Sequence, residues 1–145
     1  MQTKKKNRTL FWIVNILAPL VLGLVLYTVM TDDTYVSRWV RSIFSNCDDT
    51  VLRPEVGILR FCRNHLCDMC WSYSLVFCVA WILGDGLARL TVSVSVCSLF
   101  SALMEMLQSS AVFSGTFDVW DIFLEIVSCL IAGMVIYTNI RRKRK

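Results

Sequence analysis

The sequence predicts an all-α integral membrane four-helix bundle, with both termini cytoplasmic and a short interfacial helix in the first outer loop. Three observations predict it. Hydrophobic residues make up 56% of a 145-residue chain, a length that allows one domain at most. They fall in long, nearly uncharged blocks. The bases crowd at the two ends, with Lys4, Lys5, Lys6 and Arg8 before the first block and Arg141 to Lys145 after the last.

Each element follows from its composition. Residues 1–9 form a basic N-terminal segment. Leu10 to Met30, LFWIVNILAPLVLGLVLYTVM, is 21 residues without a charge, and a span needs about 20. Its position after KKKNR also suits a secretory signal. The apolar part exceeds the usual core of about 7–15 residues, however, and TDD stands where a small-residue cleavage site belongs. We read it as a retained anchor.

Residues 31–66 form an extracytoplasmic segment. Within it, VSRWVRSIF (36–44) places Val36, Trp39, Val40, Ile43 and Phe44 at i, i+3, i+4, i+7 and i+8, with Arg38 and Arg41 on the other side. That spacing predicts an amphipathic helix on the membrane surface, with Trp39 at headgroup level. SNCDDTVLRP (45–54) reads as loop, and Pro54 suits the start of a second short helix, PEVGILRFCRNHL. Nothing outside the bilayer is large enough to bury its own core, which excludes a soluble enzymatic domain.

Residues 67–138 hold the other three spans, ahead of a basic tail at 139–145. The second span runs from Met69 to Leu83 and extends outward through Asp68 and Cys67; GDG at 84–86 breaks it. The third covers Leu87 to Leu107 and the fourth Val119 to Tyr137. LTVSVSVCS (90–98) alternates like a strand. An isolated strand in hydrocarbon leaves backbone groups unpaired at several kcal/mol each, so a helix is expected. On that helix Thr91, Ser95, Ser98 and Ala102 form a small-residue face suited to close packing.

The positive-inside rule places both basic ends in the cytoplasm, which requires an even number of spans. Four spans satisfy it, with Arg89 in the inner turn and no Lys or Arg in the outer 109–117 turn. Residues 31–66 then face outward although they carry Arg38, Arg41, Arg53, Arg60 and Arg63. The net charge of +4 belongs to tails facing anionic lipid, each base near the surface contributing about 1 kcal/mol. No nucleic-acid partner is expected; the lipid bilayer is the first partner.

Seven cysteines are present. Cys78, Cys97 and Cys129 lie in spans and read as small apolar residues. Cys47, Cys62, Cys67 and Cys70 lie outside or at the outer edge. HLCDMC sets His65 two residues before the C-x-x-C pair Cys67 and Cys70, a spacing open to a redox disulfide, half a zinc site, or free thiols. Four-span quinone-linked thiol oxidases carry such a pair at the outer end of their second span. They also carry a second pair between spans three and four, where QSSAVFSGTFD has no cysteine.

The strongest pattern is acidic. Glu105 and Gln108 share one face at the outer end of span three. After a turn rich in small polar residues, Asp118, Asp121 and Glu125 follow at i, i+3 and i+7 on span four. Thr116 or Asp118 is placed to cap that helix, whose acidic first turn suits the positive end of its dipole. A short turn makes the two helices antiparallel neighbours, so the stripes face each other, and Asp68 of span two is placed to join them. Acids within a membrane span mark a functional site by default; the competing reading is a hydrogen-bonded staple.

Glu105-Met-Leu-Gln108, a short turn, then Gly115-Thr-Phe-Asp118-Val-Trp-Asp121 resembles the VanZ-like family. NHLCDMCWSYSL is similar to that family's second-span entry, in which an Asp (Asp68) and aromatics (Trp71, Tyr73) recur. The resemblance covers residues 60–135 and the first span. Where many members carry Asn and then Gly after the second Asp, this chain has Glu125 and Ser128, and the Arg often found before Thr-Phe-Asp is missing. The family is named for an accessory protein of glycopeptide-antibiotic resistance. The resemblance implies a multi-pass protein of the bacterial cytoplasmic membrane that acts at the cell envelope.

The expected function is therefore a VanZ-like envelope protein whose outward acidic cluster binds a cation, a lipid headgroup or a cell-wall-linked ligand, or staples the helices. Glu105, Gln108, Asp118, Asp121, Glu125 and Asp68 are its candidate residues. No cofactor and no defined reaction are expected. The alternatives are a membrane thiol–disulfide oxidoreductase using Cys67 and Cys70, with His65 beside them, and a small structural subunit packing through Thr91, Ser95 and Ser98.

Overall fold

The structure, a computed structural model, describes residues 2–30, 42, 57, 61–108 and 118–144. Helix α1 covers Gln2–Met30. A π-helical turn, Cys62–Leu66, leads directly into α2, Cys67–Leu83. Helix α3 covers Leu87–Gln108 and α4 covers Val119–Arg144. Among the described residues every element is helical, including the alternating LTVSVSVCS run inside α3. All four helices are long and apolar enough to cross a membrane, over Arg8–Thr28, Asn64–Leu83, Leu87–Gln108 and Val119–Arg142. The expected surface helix at 36–44 (apart from Ser42), the start of the second short helix, Cys47 and the 109–117 turn lie outside the described residues.

Three helix boundaries differ from the sequence reading. The basic segment 2–9 is the first part of α1, and the basic tail continues α4 as far as Arg144. Once an apolar span has nucleated a helix, each further residue adds a hydrogen bond at little cost, and Lys and Arg are good helix formers. The second span begins at Asn64, because the π-helical turn continues the helix outward past Cys67.

The GDG break is a two-glycine turn. Gly84 ends α2 at φ 79° with its N–H bonded to the Ala80 carbonyl at 3.0 Å, and Gly86 has φ 148°. Both angles suit glycine, which has no Cβ to clash. Between them Asp85 pairs with Arg8 of α1, while Arg89 donates to the Leu83 carbonyl at 3.0 Å. The start of the α1 span and the α2–α3 turn therefore lie at one end of the bundle, and antiparallel α4 returns its basic end there.

Helix α2 is the hub. It packs against α1, α3 and α4; α3 and α4 pack on each other, and α1 rests chiefly on α2. The core joins Trp12 and Ile16 of α1 to Phe77 and Ala80 of α2, with Cys97 of α3 and Cys129 and Ile136 of α4. Phe77 is fully buried and meets the Trp12 ring edge-on at a centroid distance of 5.6 Å. Polar bonds reinforce the α1–α2 contact: Tyr73 donates to Asn15 Oδ1 at 2.9 Å, and Ser74 donates to the Ile16 carbonyl at 3.1 Å.

The small-residue face of α3 is only partly turned inward, with Ser98 and Ala102 half-buried. Thr91 and Ser95 are exposed, whereas Leu90, Ser93, Cys97, Ser101 and Glu105 are buried. The Thr91 hydroxyl donates to the Leu87 carbonyl of its own helix at 3.1 Å, so it can face outward without a partner on another helix. The polar groups of Ser93, Ser101 and Glu105 have more to gain from protein neighbours than from lipid.

Candidate functional site

The acids meet where α2, α3 and α4 come together at the end of the bundle opposite the GDG turn. Asp68 is the second residue of α2, Glu105 lies three residues before the end of α3, and Asp121 is in the first turn of α4. At 1.5 Å per residue all three lie within about 5 Å of their helix ends. Glu125 is one turn deeper, about 10 Å along the helix from Asp118. The four carboxyl groups are close enough to interact electrostatically with one another.

Their individual contacts separate two kinds of residue. Asp118 is a cap, accepting the Trp120 N–H on its Oδ1 at 2.9 Å and the Asp121 N–H on its carbonyl at 3.1 Å. That local bond accounts for Asp118 without a ligand. Gln108 donates to Glu105 Oε1 at 3.1 Å, one turn along the same helix face. Glu105 and Glu125 are 4% and 7% exposed. Each has one fully buried carboxyl oxygen, Oε2, with no hydrogen-bond partner.

The sequence reading put His65 beside the cysteines. Instead, His65 Nδ1–H donates to Asp121 Oδ1, and its ring lies against Phe61 with centroids 5.0 Å apart. The π-helical turn has a direct part in this. It adds a residue to the helical repeat just where the outer segment joins α2, and such insertions often mark functional sites. His65 thus joins the acidic cluster from the π-helical turn.

Cys67 and Cys70 are free thiols. They lie where α1 crosses α2: a Cβ on Gly23 would be 3.3 Å from the Cys70 Cβ and 3.8 Å from the Cys67 sulfur. Among the described residues, no three His, Cys, Asp or Glu side chains converge to hold a metal ion. The two cysteines thus form part of the α1–α2 packing contact, with Cys67 next to Asp68 in the chain.

Sequence reasoning missed the serines. Ser72 and Ser101 share a hydrogen bond at 3.1 Å, Ser101 lies beside Glu125, and Ser128 donates to the Met69 carbonyl at 2.6 Å. Their signal was present. Ser72 follows Asp68 by four residues, Ser101 precedes Glu105 by four, and Ser128 follows Glu125 by three. These spacings put each serine on its acid's helix face, one turn deeper.

The features so far define a class: a multi-pass helical membrane protein with a buried acidic cluster at one end of its spans. A scan against protein-family models, a search of curated proteins and a search of solved structures each returned no match to this chain.

Proposed function

We propose that the chain is a VanZ-like multi-pass protein of a bacterial cytoplasmic membrane, with both termini inside, whose outward acidic cluster binds a cationic group at the cell envelope. One observation carries this reading. Carboxyl groups from three helices converge with few bases, and the two most buried, Glu105 and Glu125, each leave an oxygen unpartnered.

A staple of purely structural acids fits this geometry poorly. Leaving a buried acceptor unsatisfied costs about 1–3 kcal/mol, and burying an unpaired charge costs several kcal/mol. A serine or glutamine at either position would hold the helices together with less penalty. A cation admitted among the acids would supply a partner to these oxygens once the helix ends part to expose them.

The test is phenotypic. A deletion strain challenged with envelope-targeting antibiotics, glycopeptides included, should show a changed sensitivity that the wild-type gene restores. Glu105→Gln and Asp121→Asn should fail to restore it while reaching the membrane at wild-type levels. Full complementation by both amides would defeat the binding reading. No specific observation favours the thiol oxidoreductase, and it has its own decisive result: oxidation of Cys67 and Cys70 in intact cells, seen as protection from alkylation.

A further inference from the structure

The oxygens on which the proposed function relies are sealed. Glu105 and Glu125 are 4% and 7% exposed, and the unpartnered oxygen of each is fully buried. A cation reaches them only after the outer ends of α2, α3 and α4 part. Whatever clamps those ends together therefore controls the site.

The contact placed to do so is that of His65 with Asp121. It ties the π-helical turn ahead of α2 to the first turn of α4, between residues 56 apart in the chain. Each of the two side chains keeps 15% of its surface, so the pair lies at the rim of the cluster, above the sealed glutamates. The charged groups around it come from three helices: Asp68 on α2, Glu105 on α3, and Asp118 and Asp121 on α4, with Glu125 one turn deeper. Helix α1 also touches the π-helical turn, but it has no charged side chain between Leu10 and Met30. Among the described side chains, His65 is the one base that meets these acids.

Two properties make this contact releasable. An imidazolium bonds a carboxylate about twice as strongly as a neutral ring does, and imidazole changes charge over about pH 5 to 8. The clamp is thus strong below that range and weakens as pH rises through it, when only a neutral Nδ1–H remains to donate. The π-helical turn also holds an extra residue, and passing that residue along the helix rotates His65 by about 100°.

We infer that His65 is an internal counter-charge that closes the acidic cluster: its contact with Asp121 clamps the π-helical turn to α4, and release of the contact exposes Glu105 and Glu125 to an external cation. This rests on the proposed cation-binding role and adds how the site is regulated.

The test is hydrogen exchange of the full chain in lipid nanodiscs, read by mass spectrometry over residues 101–108 and 121–128 and corrected for the intrinsic pH dependence of amide exchange. From about pH 5.5 to about pH 8, exchange there should rise by at least about fivefold, because the clamp loses its ionic part. His65→Asn keeps a neutral N–H donor near the Nδ1 position and never carries the charge. It should exchange at the high-pH level of the wild type throughout, and Asp121→Asn, which neutralises the other partner, should do the same. Glu125→Gln, one turn deeper, should keep the step. A step that survives in His65→Asn assigns the opening to the carboxyl groups and overturns the inference, as does a wild type with no step. If the wild type has no step while Glu105→Gln still loses the phenotype, the clamp falls and the cation site stands. If the step vanishes in His65→Asn while Glu105→Gln and Asp121→Asn complement fully, the clamp stands and the functional site falls.

Discussion

Gly133 on α4 faces Val94 on α3 so closely that a Cβ built on the glycine would stand 2.8 Å from the valine Cγ2. Valine in a helix is held to one χ1 rotamer and cannot swing aside. Gly133→Ala should therefore destabilise the α3–α4 contact by about 1–3 kcal/mol, read as a shifted midpoint for unfolding in mixed micelles. Val94→Ala added to it should restore most of that loss. An unshifted Gly133→Ala midpoint would remove the steric account. At the same scale Asp118 and Glu125 differ although both sit on the acidic stripe: Asp118 is satisfied by the backbone of its own helix, and Glu125 is not.

At the scale of elements, α1 is the helix least embedded in the bundle, and its attachment to α2 is partly polar. Asn15 donates to the Phe11 carbonyl at 2.8 Å, which orients its amide oxygen to accept from Tyr73. Such an interhelical bond in a membrane averages about 0.6 kcal/mol and reaches about 1.7. A double-mutant cycle with Asn15→Ala and Tyr73→Phe should give a coupling in that interval. A coupling indistinguishable from zero would mean that apolar packing, chiefly Phe77 on Trp12, holds α1 alone. The α2–α3 connection is a further polar contact of α1: Arg8 and Asp85 tie its start to the two-glycine turn.

At the scale of the whole molecule, the Arg8–Asp85 contact and the antiparallel α3–α4 pair place both described chain ends beside the GDG turn, away from the acids. With bases at that end, the proposed orientation under the positive-inside rule puts it on the cytoplasmic side. A fluorescent protein fused after Lys145 should therefore fluoresce, and alkaline phosphatase fused there should be inactive. The same phosphatase inserted between residues 45 and 54 should be active. The opposite pattern would put the acidic cluster in the cytoplasm and end the envelope reading.

Among the described residues, the sequence by itself determined the four candidate spans, the helical state of the strand-like run, and the gathering of Glu105, Asp121, Glu125 and Asp68. These follow from local quantities: block length against bilayer thickness, backbone satisfaction in hydrocarbon, and side-chain spacing across a short turn. Only the tertiary structure decided that His65 serves Asp121 rather than the cysteines, that α3 packs through Ser93, Cys97 and Ser101, and that α1 rests chiefly on α2. The physical reason is common to all three. In hydrocarbon, burial gives apolar side chains little to gain, so which face meets which neighbour is set by van der Waals fit and polar pairing. Those depend on partners distant in the chain, such as His65 and Asp121, and no local spacing encodes them.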